Sequence, residues 1–359
     1  MHSFLRRPMT TIRRHPIARY LSLLTLVALI PNRGQAASIL LEETFMGTSA
    51  QEWTLLGSAQ LTAKSGIDAP GSGWLRLTSA VANEAAFAFN STAVPFGYGI
   101  DVTFHYSTWG GTGADGIGFV LFDGSTTPTS AGGYGGSLGY AQRSGIKGLA
   151  GGILGIGFDE FGNYANPTEG RQGGIGFVPD TITIRGPGDG TSNATSSAGV
   201  TNYAFLTSTG ALPKADLVTG GQGSTRPSGE SAQRTAEIVA DTSQIPDGRL
   251  PIAVYLTVGT GTRTMVAQYD AYAQVLHYYG NDPSRIPSSI KFGFTGSTGG
   301  SNNNHEVQGI TVLSVQNAPG YAVVAPEPAS FTIMGIATLI LATWMKGSKS
   351  GAASGNPRV

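Results

Sequence analysis

Apolar and polar residues alternate along several short stretches of this 359-residue chain. In the clearest stretch, Ile100, Val102, Phe104 and Tyr106 are separated by single polar residues. Because successive side chains of a strand point to opposite faces, this period of two predicts a strand with one buried face. Further runs bounded by turn residues predict strands at Gly116–Phe122, Gly152–Phe158, Thr181–Arg185, Ile252–Val258, Thr264–Tyr272, Lys291–Thr295 and Val307–Val315. Helical periodicity is nearly absent outside the two ends, so the sequence predicts an all-β fold.

Glycine accounts for 53 of the 359 residues, about twice its usual share of ~7%. It follows no fixed period and the chain is not poor in apolar residues, so neither a collagen-like nor a disordered chain is indicated. Many short strands with Gly and Pro turns favour one antiparallel sandwich domain, expected over residues 38–320. Within it, residues 186–232 are rich in Gly, Ser and Thr, which predicts a surface insertion with one short ordered piece, Tyr203–Leu206.

The N-terminal residues 1–37 have the layout of a secretory signal peptide. Residues 1–19 contain five arginines and no acid, an apolar run follows from Tyr20 to Ile30, and small residues precede Ala37. We expect cleavage after Ala36 or Ala37. A membrane anchor is the alternative, but the apolar run is too short to span a bilayer.

The C-terminal residues 321–359 look like a second targeting signal. Pro326-Glu327-Pro328 precedes an uncharged apolar segment, 331–345, which is followed by Lys346 and Lys349. Such a segment can lodge in an inner membrane with its positive charges on the cytoplasmic side. The order of these parts resembles the PEP-CTERM sorting signal of Gram-negative bacteria. That resemblance implies processing by exosortase, transient insertion of 331–345 in the inner membrane, and an organism that makes exopolysaccharide.

Without these two ends the chain has 13 basic and 21 acidic residues, a net charge of about −8. A domain this acidic is a poor partner for nucleic acid or for anionic membrane surfaces. It contains no cysteine, which excludes disulfides, thiolate metal sites and thiol nucleophiles. The acidic balance is compatible with divalent cations.

One stretch suggests a cation site. Asp159, Phe161 and Asn163 follow a predicted buried strand at spacings of two, so in an extended chain their side chains face the same way. A carboxylate, an amide oxygen and the backbone carbonyl of Phe161 are hard oxygen ligands of the kind that calcium takes. The alternative is a polar exit from the strand into a loop with no ion bound.

Three other stretches combine glycine with polar residues that could meet a ligand. Asp115 lies in a Gly-rich turn before an apolar strand, and Gly135 and Gly136 belong to the Gly-rich loop 132–140. Thr298 and Gly299 lie in a third such loop, which leads to His305 and Glu306. A ligand can approach the backbone closely where side chains are small. Taken singly, each stretch also reads as an ordinary turn.

Together and in this order, the four stretches resemble the L-type lectins, the legume-lectin-like family. The resemblance covers most of residues 42–315 and implies a jelly-roll sandwich of two antiparallel sheets. It implies that Asp115 and a backbone N–H of Gly135 or Gly136 bind sugar hydroxyls, and that the loop with Thr298 and Gly299 shapes specificity. It also implies that Asp159, Phe161 and Asn163 bind calcium, with Asn163 touching the sugar as well.

The chain departs from the family pattern near the predicted metal site. Gly157 stands where legume members carry a glutamate for a transition metal, so no transition metal is expected. The last calcium carboxylate and its nearby histidine are also missing, and Asn166 and Glu169 are the nearest replacements. An aromatic ring could offer an apolar face to a sugar. The candidates are Tyr134, Tyr140 and Tyr164.

The sequence thus predicts an exported protein that binds neutral sugars of exopolysaccharide or a biofilm matrix with the help of calcium, at the cell surface or in the extracellular matrix. A structural matrix module of the same fold without sugar binding is the alternative. Glucanases of similar shape need two carboxylates, in a run that resembles Glu-x-Asp-x-x-Glu. Here Gly157 and Gly162 replace both glutamates around Asp159, so no enzyme is predicted.

Overall fold

The structure is a computed structural model that describes residues 37–324. This range contains seventeen strands and two short helices, α1 (Lys214–Leu217) and α2 (Tyr272–Tyr278), which confirms the all-β prediction. In chain order the strands are β1 (Ala37–Glu43), β2 (Trp53–Gly57), β3 (Gln60–Leu61), β4 (Leu75–Thr78), β5 (Ala85–Asn90), β6 (Val94–Pro95), β7 (Ile100–Trp109), β8 (Gly116–Asp123), β9 (Gly152–Asp159), β10 (Thr181–Arg185), β11 (Phe205–Ser208), β12 (Arg234–Ala240), β13 (Pro251–Val258), β14 (Thr264–Asp270), β15 (Ser289–Ser297), β16 (Asn304–Ser314) and β17 (Ala322–Val324).

The strands form two antiparallel sheets. Sheet A has the order β14-β13-β12-β7-β16-β1-β17, with β4 also paired to β16 and β3 paired to β4. Sheet B has the order β11-β10-β9-β8-β15-β5-β2, with β6 beside β15. Every pairing between these strands is antiparallel. Because neighbours in a sheet are often distant in sequence, the chain crosses repeatedly between the sheets, as in a jelly-roll sandwich.

The main core lies between the two sheets and is rich in aromatic rings. Phe104 of sheet A lies with its ring centroid 6.1 Å from that of Phe119, 5.9 Å from that of Phe158 and 4.9 Å from that of Phe294, all on sheet B. Aromatic pairs at these separations stabilise a core beyond the area that they bury. The alternation along β7 therefore marks the face of sheet A that meets sheet B.

The outer face of sheet B is also buried, which explains why β8 and β9 are continuous apolar runs. Tyr140, Tyr164 and Tyr203 lie in a second apolar cluster with residues of β5 and β8. A methyl group on Gly155 of β9 would lie 2.3 Å from the Tyr140 ring, so glycine leaves the room that this ring occupies. The loops that follow β8 and β9 therefore lie flat on the sheet and carry the candidate site.

One strand of the sandwich is shorter than expected. The predicted strand Thr264–Tyr272 ends at Asp270, because Tyr272 begins α2. Within residues 186–232, Tyr203 is fully buried and Phe205–Ser208 pairs with β10, so ordered structure lies where the short piece Tyr203–Leu206 was expected.

Residues 1–36 of the predicted signal peptide and the apolar segment 331–345 lie outside the described residues. Between residues 37 and 324, no helix is long and apolar enough to cross a membrane.

Candidate functional site

The termini of three neighbouring strands lie side by side at one end of sheet B. Gly116 at the start of β8 pairs with Asp159 at the end of β9 and with Ser297 at the end of β15. This follows from the antiparallel order, in which the start of one strand meets the ends of its two neighbours. The backbone N–H of Asp115 donates to the Ser297 carbonyl at 3.0 Å, and that of Glu160 donates to the Asp115 carbonyl at 2.9 Å. Asp115 is therefore held between two distant segments of the chain.

A small pocket of about 160 Å³ opens at this end of the sheet. Pockets that bury drug-sized ligands measure roughly 300–1,000 Å³, so this one suits a small ligand. The Gly-rich loop, the segment after β9 and the loop after β15 each supply part of its wall. The lining residues are Asp115, Gly135, Gly136, Arg143, Phe161, Asn163, Glu169, Gly299, Gly300 and Ser301. The structure thus brings together most of the site residues predicted from sequence.

Asp115 supplies an acceptor that no residue of the described chain satisfies. The residue is 3% exposed, and between residues 37 and 324 no donor reaches its Oδ2. Burial and the negative charge of Asp159 raise the pKa of Asp115 to about 7, although Arg143 and Arg171 act in the opposite direction. The Ala114–Asp115 peptide bond is cis. An unsatisfied buried acceptor costs about 1–3 kcal/mol, so a ligand that donates hydrogen bonds to it is favoured.

Asp159 is fully buried behind the pocket and organises the loop that follows β9. Its Oδ1 accepts a hydrogen bond from the Gly162 N–H at 2.7 Å, and its Oδ2 accepts one from the Tyr164 N–H at 2.6 Å. Burial raises the pKa of Asp159 to about 7, although these two bonds act to lower it. The carboxylate therefore bends the backbone around itself and places Asn163, which lies between the two donors, at the pocket.

The Gly-rich loop comes very close to Asn163. A methyl group on Gly136 would lie 2.2 Å from Asn163 Cβ, so only glycine allows this approach. The Oδ1 of Asn163 accepts a hydrogen bond from Asn166 Nδ2 at 3.1 Å. The amide nitrogen of Asn163 has no acceptor among residues 37–324 and is available to a ligand.

Two arginines that sequence reasoning missed flank Glu169. Arg143 Nη2 donates to Glu169 Oε1 at 2.7 Å, and Arg171 Nη1 donates to Glu169 Oε2 at 3.2 Å. The Arg143 guanidinium also lies 4.1 Å from the centre of the Tyr134 ring. The Arg171 side chain has no exposed surface, whereas that of Glu169 is 36% exposed. The only sequence signal was an isolated basic residue in each of two Gly-rich loops.

The expected calcium ligands do not assemble into a site that fits a divalent cation. Calcium takes about six to eight oxygen ligands. Here both oxygens of Asp159 are bonded to backbone N–H groups, Glu169 is neutralised by two arginines, and Asn166 points its amide nitrogen at Asn163. Between residues 37 and 324 there is no group of three or more acidic or histidine side chains that could hold a metal ion. Calcium therefore takes no part in the mechanism proposed below.

The space beside Gly157 is filled by other side chains. A methyl group on Gly157 would lie 2.4 Å from Tyr164 Cδ1 and 2.7 Å from Leu138 Cδ1. The ring of Tyr164 thus occupies the position that a metal-binding carboxylate at 157 would need. The expectation that no transition metal binds stays a prediction.

The aromatic residue at the pocket is a different one from those predicted. Tyr140 and Tyr164 are fully buried, so their selection as sugar-stacking candidates was wrong. Phe161, expected to offer its backbone carbonyl to a metal, is the aromatic residue that lines the pocket. Its ring meets the half-exposed ring of Phe177 edge-on, with centroids 5.4 Å apart.

Thr298 supports the third loop rather than lining the pocket. Its hydroxyl donates to the Val81 carbonyl at 2.6 Å and accepts from the Glu84 N–H at 2.9 Å, and the residue is fully buried. Gly299 is the residue that faces the ligand space, because a methyl group there would lie 3.1 Å from Asp115 Oδ2. The structure therefore separates two neighbours that were both predicted to bind sugar.

Glu160 faces away from the pocket, as strand alternation predicts. Its Oε2 accepts a hydrogen bond from Asn303 Nδ2 at 2.9 Å, and its Oε1 lies 3.2 Å from His305 Nε2 without the alignment of a hydrogen bond. Burial alone would raise the pKa of Glu160, but the charge of His305 and hydrogen bonds hold it below its ordinary value. Glu160 thus joins the end of β9 to sheet A and is not a ligand of the pocket.

Comparison with known proteins gives similarity only at the level of solved structures. No protein-family model matches the chain, and no curated protein matches it. The chain is similar to a Bauhinia forficata lectin in complex with GalNAc, at 15% identity and a TM-score of 0.46, over 76% of this chain and 97% of that one. It is similar to the metal-free form of lectin I-B4 from Griffonia simplicifolia, at 16% identity and a TM-score of 0.47, over 76% and 98%. It is also similar to the exoplasmic/lumenal domain of VIP36 in a Ca2+/Man-bound form, at 14% identity and a TM-score of 0.46, over 76% and 87%.

Proposed function

We propose that this domain binds a neutral sugar in the pocket around Asp115. The observation that carries the proposal is the Asp115 carboxylate, which is buried, unsatisfied at Oδ2 and part of the pocket wall. Sugars present neighbouring hydroxyl groups, and an ionised carboxylate accepts two hydrogen bonds from such a pair. Charge-assisted bonds of this kind are roughly twice as strong as neutral ones.

The other walls complement the remaining parts of a sugar ring. The Asn163 amide nitrogen can donate to a sugar oxygen, and backbone N–H groups of the Gly-rich loop can approach because Gly135 and Gly136 carry no side chains. Phe161 offers an apolar surface to the C–H groups of the ring. Each chemical face of a sugar thus has a partner in the pocket.

The charge distribution favours a neutral ligand over an anionic one. Arg143 lines the pocket, but its guanidinium is already paired with Glu169 at 2.7 Å. The ionised form of Asp115 would repel a carboxylate or phosphate placed against it. A neutral sugar avoids this repulsion and still satisfies the buried acceptor.

The geometry favours binding over cleavage of a glycosidic bond. Hydrolysis needs two carboxyl groups that flank the bond, about 5–5.5 Å apart for retention or about 6.5–9.5 Å apart for inversion. Asp159 is buried behind the pocket with both oxygens bonded, and Glu169 is held by two arginines. We therefore propose a binding protein rather than an enzyme.

We further propose that the protein is exported and binds exopolysaccharide at the cell surface or in a biofilm matrix. The support is the charge and apolar pattern of residues 1–37 and 321–359, including the resemblance to a sorting signal that exosortase processes. Segment 331–345 would insert transiently in the inner membrane. The acidic domain is proposed to bind no nucleic acid.

A glycan array probed with the mature protein and with Asp115→Asn tests the function. We expect selective binding of neutral glycans by the mature protein and loss of that binding in the variant. Equal binding by both proteins would place the sugar site elsewhere. A mature protein that binds no glycan would favour the structural matrix module, and release of reducing sugar would favour a hydrolase.

A further inference from the structure

Arg171 joins two walls of the pocket from behind. Its buried guanidinium donates from Nη1 to Ser137 Oγ at 2.8 Å, and its Nε donates to the Asn166 carbonyl at 3.2 Å. Its Nη2 donates to Thr168 Oγ1 at 2.9 Å. Ser137 belongs to the Gly-rich loop, whereas Asn166 and Thr168 belong to the segment after β9. One side chain therefore fixes the distance between the two loops that enclose the ligand space.

The chemistry of arginine suits this role. A guanidinium carries five N–H donors in a rigid plane, so it can hold several acceptors in fixed directions at once. Arg171 bonds a hydroxyl of one loop, and a carbonyl and a hydroxyl of the other. Glu169 accepts a further bond at 3.2 Å and balances the charge. A metal ion would organise oxygen ligands in a similar way, through positive charge and fixed directions.

The local charges leave little to attract a further cation into the loop. Asp115, Asp159 and Glu169 contribute three negative charges when ionised, and Arg143 and Arg171 contribute two positive ones. Both arginines are paired with Glu169, Asp159 accepts two backbone N–H hydrogen bonds, and Asp115 faces the ligand space rather than the interior of the loop. A divalent ion beside Asp159 would bring two positive charges next to a buried guanidinium, and such repulsion is strong away from water.

We propose that Arg171 is the positioning cation of this site: it holds the Gly-rich loop and the segment that carries Asn163 in the sugar-binding arrangement and makes the site independent of calcium. The inference rests on the sugar-binding function proposed above. It differs from the expectation based on resemblance, in which calcium holds the segment.

The first arm of the test uses the wild-type mature protein. Its melting temperature and its binding to mannose, glucose, galactose and N-acetylgalactosamine are measured in excess EDTA and in millimolar CaCl2. We expect the same melting temperature and the same affinities in both conditions. A melting temperature that rises by several degrees with calcium, or binding that is lost in EDTA, would overturn the inference.

The second arm uses Arg171→Met and Arg171→Lys, with Arg234→Met as the matched control. Arg234 is also a buried arginine bonded to backbone carbonyls, but it lies on β12 of sheet A, away from the pocket. Sugar affinity is measured well below the melting temperature, and amide hydrogen exchange is measured for residues 133–142 and 163–168. The control separates a loss of stability from a loss of positioning.

For Arg171→Met we expect at least a tenfold loss of affinity and faster exchange in both segments, with partial recovery in Arg171→Lys. Arg234→Met should lower the melting temperature and leave the affinity of the folded protein unchanged. Wild-type affinity and wild-type exchange in Arg171→Met would refute the role of Arg171. Should that variant not fold, Arg171→Lys and the calcium arm decide. If the wild type binds none of the four sugars and no neutral glycan on the array, the proposed function fails, while hydrogen exchange and the response to calcium still decide the role of Arg171.

Discussion

Gly136 and Asn163 meet so closely that a methyl group on Gly136 would lie 2.2 Å from Asn163 Cβ. This contact joins the Gly-rich loop to the segment after β9, and both line the same pocket. The absence of a side chain at 136 is therefore as much a part of the site as the amide at 163. Adding a side chain at residue 136 therefore gives a direct test of the proposed binding geometry.

Gly136→Ala should weaken sugar binding at least tenfold, because the added methyl group forces the two loops apart. Overpacking of this kind typically costs about 1–3 kcal/mol of stability, so the variant should still fold. Isothermal titration with a sugar identified on the glycan array measures the effect. Gly97→Ala is the control, since a methyl group there meets nothing within 4 Å. Unchanged affinity in Gly136→Ala would show that the loop contact is not needed.

Asp115→Asn should abolish measurable sugar binding and leave the domain folded. The loss of a hydrogen bond to a charged group is worth about 1.5–3 kcal/mol, or roughly a factor of 10 to 150 in affinity. The unfolding free energy should not fall, because a buried carboxylate without a partner is removed. Asp123→Asn is the control and should bind sugar normally, because Asp123 lies at the far end of β8, the strand that follows Asp115.

The free domain should become less stable as the pH rises from 5 to 8. The pKa of both Asp115 and Asp159 is raised to about 7 in the folded state, from the ordinary value of 3.8 for an aspartate. The folded state therefore binds more protons than the unfolded state between these values, and stability falls as the pH rises through that window. Urea unfolding should show a decrease of at least about 1.4 kcal/mol, the equivalent of one pKa unit. A flat or rising profile would contradict the raised pKa values.

Sugar binding should respond to pH in the opposite direction. Ionised Asp115 accepts two hydroxyl hydrogen bonds, whereas its protonated form presents a donor on one oxygen. Affinity should therefore increase as the pH rises through about 7, the raised pKa of Asp115. Titrations at a series of pH values measure this profile. Affinity that is constant from pH 5 to pH 8 would show that the charge on Asp115 does not contribute.

Substitutions at Gly157 should destabilise the fold rather than create a metal site. The family resemblance suggests that Gly157→Glu would restore a metal ligand, but a methyl group there already lies 2.4 Å from Tyr164 Cδ1. Gly157→Ala should lose about 1–3 kcal/mol of stability through overpacking. Gly221→Ala, which meets nothing within 4 Å, should lose far less in the same denaturation experiment. Calorimetry that detects manganese bound to a folded Gly157→Glu variant would contradict this prediction.

The exported protein should begin at Ala37 or Ser38 and lack residues 331–359. The basis is the charge and apolar pattern of the two ends. Intact mass of material from the native host measures both ends at once. A mass that includes the apolar segment 331–345 would favour a protein that stays anchored in the membrane.

The pattern along the chain was sufficient to predict the sandwich, because the information is local. The period of two at residues 100–106 marks one buried face, and the continuous run at 152–158 marks a strand covered on both faces. The Gly-rich turns around Asp115 and Gly136 were visible for the same reason, since a missing side chain or an acid in a turn is a property of the sequence itself. Helix α2 was missed because it is only seven residues long.

The electrostatic character of the site was decided by tertiary structure. Asp159 was expected to bind calcium, but a carboxylate after a strand can equally accept backbone N–H groups, and only the path of the loop separates the two roles. Arg171 could not be recognised from sequence, because its partner Ser137 lies 34 residues away. Contacts between distant segments depend on how the sheets and their covering loops pack together. They pair Glu169 with two arginines, place backbone N–H donors around Asp159 and leave Asp115 in the pocket wall.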